Sequence, residues 1–280
     1  MKTIKRDLIL FLSITFVLSF AFEFYIIHKG GIRSWPQSTF FLMWIPGIVS
    51  ILYRLISRCG FKDTGFKIGA FRYWFLAFAV PLFIALISNI LCWGLGVNEF
   101  TSYPETILKK VGISSVGMLI AMKFPWWLLW GNINALGEEL GWRGFLIPKL
   151  TQVNLKHPFF VSGLIWAAWH FPLIIWGDYA TSDLPILSVL LFTVMIVCSG
   201  IFIAWLRMES GSVWVAMFYH ACHNFFLQTA FAIFSKAGKY DPYLGNESGL
   251  FPCLIYIAVL LVGKQFIVNK RKISSPEFAI

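Results

Sequence analysis

Apolar residues run in blocks of about twenty along this chain, separated by short polar intervals, and that rhythm sets the expected architecture. A hydrocarbon core about 30 Å thick needs about 20 helical residues to cross it. Eight stretches reach that length, at approximately 8–27, 38–56, 73–95, 124–147, 159–176, 185–206, 212–234 and 250–268. Residues 111–122 are apolar but too short to cross. Lys109, Lys110 and Lys123 bracket them, so an interfacial or re-entrant helix is expected there. The pattern thus predicts an all-α polytopic membrane bundle with about eight transmembrane helices. No polar block between the runs is long enough to fold separately, and no internal repeat or linker is visible. Residues 1–280 are therefore expected to form a single membrane-embedded domain.

Composition points the same way. The chain is 58% hydrophobic and 13% charged, against about a quarter charged in soluble domains, so water could not hide its apolar surface. The net charge of +10 raises the question of nucleic acid. The bases, however, sit in short groups between apolar runs rather than along one face, which makes the lipid bilayer, not nucleic acid, the expected partner. With the N-terminus inside, most of the lysines and arginines fall in cytoplasmic intervals. The outer intervals keep Lys29, Arg33, Lys109, Lys110, Lys236 and Lys239, with Lys123 near that boundary. The positive-inside rule then places both termini in the cytoplasm of a multi-pass plasma-membrane protein, and the short loops suit a bacterial one. Lys2, Lys5 and Arg6 precede the first apolar run as in a signal peptide, but Phe22, Glu23, Phe24 and Tyr25 follow it in place of a small-residue cleavage site. A retained first span is expected. The five cysteines form no CxxC pair and are expected to be small buried hydrophobes.

Ionisable groups inside such spans cost about 2.5–3.5 kcal/mol each on insertion scales, so they are usually paired or functional. Glu138, Glu139 and Arg143 lie late in the fourth run, Trp166 and His170 in the fifth, His220, His223 and Asn224 in the seventh, and Glu23 alone in the first. Glu139 and Arg143 are four apart and share a helix face, where an ion pair can form. Glu138 points about 100° away and is left to face a cavity. His220 and Asn224 also share a face, Trp166 can pack beside His170, and Pro172 should bend the helix close to His170. Counted at ~1.5 Å per residue, Glu138, His170 and His220 lie roughly 13–18 Å from the cytoplasmic ends of their spans. Three helices thus bring polar groups to one level.

A buried carboxylate and a histidine at that level can activate water and deliver a proton. A second histidine with an asparagine can donate to a developing oxyanion, and together these are the needs of amide hydrolysis. Glu138, His170 and His220 could alternatively hold Zn2+, which accepts such ligands, although no compact His-Glu-x-x-His motif is present.

The ordered set of Glu-Glu-x-x-x-Arg at Glu138, Glu139 and Arg143, aromatic-x-x-x-His at Trp166 and His170, and His-x-x-x-Asn at His220 and Asn224 resembles the CAAX protease and bacteriocin-processing family of intramembrane endopeptidases. The motif core covers about 131–234, and the eight-span layout nearly the whole chain. The resemblance implies a glutamate-dependent peptidase in which Glu138 and His170 activate water and His220 and Asn224 stabilise the oxyanion. Glu139, Arg143 and Trp166 would be supporting residues. It implies no obligatory cofactor, with Zn2+ as the alternative, and a peptide or protein substrate in or near the membrane, C-terminal and CAAX-like in some relatives. Trp166 stands where the family usually has phenylalanine, a change that keeps an aromatic ring.

Blander readings use the same residues. Glu139 with Arg143 can be a structural ion pair, a lone intramembrane histidine can bond a neighbouring helix, and Glu23 is expected to make an interhelical hydrogen bond. His223, three residues from His220, can share part of its face. Gly137 and Gly141 have small-xxx-small spacing, which means close helix packing and would also let a substrate backbone approach Glu138. At the level of function, a proton-coupled transporter could use the carboxylate and histidines as a relay, and a non-catalytic bacteriocin-immunity protein could keep the fold alone.

Overall fold

The computed structural model describes residues 2–101, 112, 116–180 and 182–273. Its long helices are α1 (Lys2–His28), α2 (Ser38–Ser57), α3 (Phe71–Gly94) and α4 (Val116–Gly141). A π-helical turn, Trp142–Leu146, carries α4 directly into α5 (Ile147–Gln152). Then come α6 (Pro158–Trp169), α7 (Phe171–Ile175), α8 (Pro185–Ser210) and α9 (Val213–Phe225), the last extended by a second π turn, Phe226–Ala230. A short α10 (Asp241–Leu244) precedes α11 (Leu250–Ile273). The eight expected spans all coincide with helix, and the chain is an all-α membrane bundle. Thr3–His28, Ser38–Ser57, Phe71–Gly94 and Pro185–Ser210 are each long and apolar enough to cross a membrane alone. The other spans are shorter, broken, or carry the ionisable groups.

The expected separate helix at 111–122 needs correction. Lys109, Lys110 and Val111 lie outside the described residues, but from Val116 the helix runs unbroken into the fourth span. Where an interfacial piece was expected, the residues from Val116 onward are the first turns of α4.

Two sets of contacts tie the loops, one at each end of the bundle. At one end, Arg54 is buried and donates to the Gly60 and Gly144 carbonyls and to Asp63 Oδ1, while Arg207 donates to the Asp63 carbonyl. Lys149 pairs with Asp7 at 3.7 Å, so the start of α1 joins the same end. At the other end, Asp178 accepts from the backbone N–H groups of Ile32 and Arg33 at 2.7 and 2.8 Å. The strands β1 (Asn98–Phe100) and β2 (Ser235–Ala237) pair antiparallel there.

Within the bundle α4 packs on α2 and α9, and α6 packs on α8. The α2–α4 approach depends on glycine. A Cβ on Gly137 would stand 2.6 Å from the Met43 carbonyl oxygen, and one on Gly141 2.5 Å from Pro46. The spacing therefore means close packing, and the backbone that comes up against Gly137 is that of α2.

Candidate active site

Glu138 and Glu139 occupy the last turn of α4, immediately before the π turn. Both are buried, and their different directions give them different partners. Glu138 Oε2 accepts the indole N–H of Trp142 at 3.1 Å and that of Trp166 at 2.6 Å. Both tryptophans are almost fully buried, so these bonds form away from water and carry a charged acceptor, a class worth about 1.5–3 kcal/mol each. Glu139 Oε1 receives Arg143 Nη1 at 3.0 Å and His220 Nδ1 at 2.8 Å. The i,i+4 ion pair read from the sequence is present, and it extends to a histidine 81 residues away.

Arg143 is fully buried. Its guanidinium carbon lies 4.1 Å from the centre of the Trp166 ring, a cation–π contact added to the ion pair. Trp166 is consequently a hub, with its N–H on Glu138, its face on Arg143, and its ring 5.3 Å edge-to-face from that of His220. Phenylalanine in its place could supply the packing but not the hydrogen bond. Keeping an aromatic ring is therefore not enough to preserve what Trp166 does here.

His170 sits at the break between α6 and α7, where Pro172 ends the continuous helix as expected. Its Nδ1–H donates to the Trp166 carbonyl at 2.8 Å, which leaves Nε2 as the acceptor of the ring. Trp169, Tyr179 and Phe192 pack around it. His220, on α9, presents Nε2 on the side away from Glu139. The Trp166 ring, bonded to Glu138, lies 6.0 Å from that of His170 and 5.3 Å from that of His220, so the three side chains share one neighbourhood.

Glu138, His170, His220 and Asn224 line a single cavity of about 400 Å³. Leu42, Met43, Trp126, Trp127 and Trp130 form an apolar wall to it, with Trp126 and Trp130 exposed on the outer surface of the bundle. His223 lines it too, with both ring nitrogens engaged: Nδ1 with the Tyr256 hydroxyl at 2.6 Å and Nε2 with Glu247 Oε1 at 3.0 Å. Burial alone would push the Glu247 carboxyl up; hydrogen bonds from His223 and Gln228 outweigh it and hold the group below the usual glutamate range.

Glu23 departs from expectation. It is fully buried in α1, and neither carboxyl oxygen has a hydrogen-bond partner among the described residues, so the expected interhelical bond is not seen there. Sequence reasoning missed Trp142, Tyr179 and Glu247. Trp142 was within reach of the same i,i+4 rule that paired Glu139 with Arg143, whereas Tyr179 and Glu247 come from loops and leave no periodic trace.

Among the described residues no three His, Cys, Asp or Glu side chains gather closely enough to hold an ion.

Residues 120–226, which hold every residue of the ordered motifs, match the family described as type II CAAX prenyl endopeptidase Rce1-like. The chain is also 33% identical over 92 residues to a protein of Methanococcus maripaludis named CAAX prenyl protease 2. That similarity covers 31% of this chain and 34% of the relative, so the chain spans about a third of the length of the curated protein it matches. On the motif-bearing segment, with its glutamates, histidines and asparagine gathered about one cavity, the chain is similar to the type II CAAX prenyl endopeptidases.

Proposed function

We propose that the protein is an intramembrane endopeptidase that hydrolyses a peptide bond in a membrane-associated substrate, with CAAX-like C-terminal peptides as the class its relatives' names point to. The observation that carries this reading is the convergence of Glu138, His170, His220 and Asn224, from three separate spans, on one cavity.

Glu138, with Oε2 held by two indoles, keeps Oε1 for a water molecule, and His170 Nε2 offers a second acceptor. Proton transfer from that water to the carboxylate accompanies attack of its oxygen on the scissile carbonyl carbon, and the carbonyl electron pair moves to oxygen. Asn224 donates to the oxyanion through its amide. His220 donates from Nε2 as an imidazolium whose Nδ1–H is held by Glu139. Collapse breaks the C–N bond, and the proton held by Glu138 passes to the departing amine. The apolar wall of Leu42, Met43 and the tryptophans suits the hydrophobic part of a membrane-embedded peptide.

The test is cleavage of a panel of membrane-proximal peptides, prenylated and not, by the purified protein. Wild type should cleave, while Glu138→Ala and His170→Ala should not; activity surviving both substitutions would end this mechanism.

A further inference from the structure

The cavity opens toward one end of the bundle, and the charges say which side of the membrane that end faces. Ile32, Tyr179, Gln228, Thr229 and Glu247 line its outer part. They belong to the α1–α2, α7–α8 and α9–α11 connections, the end that Asp178 and the β1–β2 pairing tie together. No residue of the opposite end, where Arg54 and Arg207 grip the Asp63 loop, lines it.

The basic residues are divided unequally between these ends. Among the described residues, the Arg54–Asp63 end carries eight exposed bases, Lys5, Arg6, Arg58, Lys62, Lys67, Arg72, Lys156 and Lys264. The cavity end carries four, Lys29, Arg33, Lys236 and Lys239, among five acids, Glu99, Asp178, Asp183, Asp241 and Glu247; with Lys109, Lys110 and Lys123 counted in the sequence intervals of that side and Lys2, Lys270, Arg271 and Lys272 in those of the other, the balance is seven against twelve. Flanking Lys and Arg in short loops set orientation, so the end with eight bases is the one retained in the cytoplasm.

We infer that the catalytic cavity opens on the extracytoplasmic face, and that the substrates are peptide segments lying at the outer leaflet. The side of opening stands on charge and geometry alone, while the word substrate rests on the peptidase reading above. Because Trp126 and Trp130 are exposed along one wall, a peptide can come from the lipid side of that leaflet as well as from the aqueous phase.

The four other cysteines are buried and Cys59 is exposed on the basic end, which supplies a native topological probe. Intact spheroplasts treated with a membrane-impermeant maleimide should leave Cys59 unlabelled until they are permeabilised. In a Cys59→Ser background, Thr229→Cys at the cavity mouth should label without permeabilisation. Lys239→Cys, on an exposed loop of the same end, repeats the measurement if the first variant fails to accumulate. The reverse pattern, with Cys59 reactive from outside and both engineered cysteines protected, would overturn the inference. Labelling requires no catalysis. A failed cleavage assay with the expected labelling would sink the peptidase reading and leave the orientation standing. Impermeant peptides added to intact spheroplasts should then be cut by wild type and not by Glu138→Ala.

Discussion

Trp166 donates its indole N–H to Glu138 Oε2 at 2.6 Å, joining the aromatic of the second motif to the first glutamate of the first across 28 residues. On the mechanism proposed above, the bond fixes which carboxylate oxygen remains for water. Trp166→Phe keeps the packing against Arg143 and His220 but removes a donor to a charged acceptor, an interaction worth about 1.5–3 kcal/mol. The expected result is a fall of roughly ten- to a hundredfold in kcat/KM, with the melting temperature in detergent changed much less than by Trp166→Ala. Unchanged kcat/KM in the Phe variant would show that the bond does not position Glu138 for the reaction.

The two adjacent glutamates should separate chemistry from stability. Glu139 balances the fully buried Arg143 and holds His220, and removing one partner of a buried ion pair costs about 3–5 kcal/mol. Glu139→Gln is therefore expected to lower both the melting temperature and the cleavage rate. Glu138→Gln leaves an acceptor for the two indoles, so it should abolish cleavage while leaving the melting temperature close to that of wild type. Parallel thermal unfolding and peptide assays on the purified variants check both halves.

Much of this arrangement could be read from spacing. A period of 3.6 residues placed Glu139 over Arg143 and turned Glu138 elsewhere, and hydropathy located helices at all eight expected spans, four of them long and apolar enough to cross a membrane. Spacing could not reach across helices. That Glu139 holds His220, 81 residues on, depends on how α9 leans against α4, a tertiary fact with no local signature. Glu247 was equally hidden, because a loop between helices has no periodicity to mark which side chain turns inward. Glu23 was misjudged for another reason: a buried carboxyl normally finds a partner, and this one has none among the described residues.

Chelation is expected to leave cleavage unchanged. No three-residue donor set is assembled among the described residues. Activity of the purified enzyme measured with and without a strong chelator decides the matter. Loss that zinc restores would mean that Glu138, His170 and His220 rearrange into a metal site.

The Gly137 contact with α2 should tolerate no side chain. Met43 and Trp44 backbone atoms lie where a Cβ would go, at 2.6 and 2.7 Å, and neither can move without shifting α2. Overpacking of this kind typically costs about 1–3 kcal/mol. Gly137→Val should lower the melting temperature, and because α2 supplies Leu42 and Met43 to the cavity wall, it should raise KM as well.

Glu23 offers the opposite outcome. Its carboxyl is fully buried without a hydrogen bond among the described residues, and leaving such a group unsatisfied costs about 1–3 kcal/mol. Methionine has a similar length and needs no partner, so Glu23→Met should raise the melting temperature of the detergent-solubilised protein. Glu23 does not line the cavity, and cleavage by this variant should match wild type. A variant that is more stable but inactive would instead show that the carboxyl is kept, at a cost in stability, for the reaction. Thermal unfolding and cleavage measured on the same preparation distinguish the two cases.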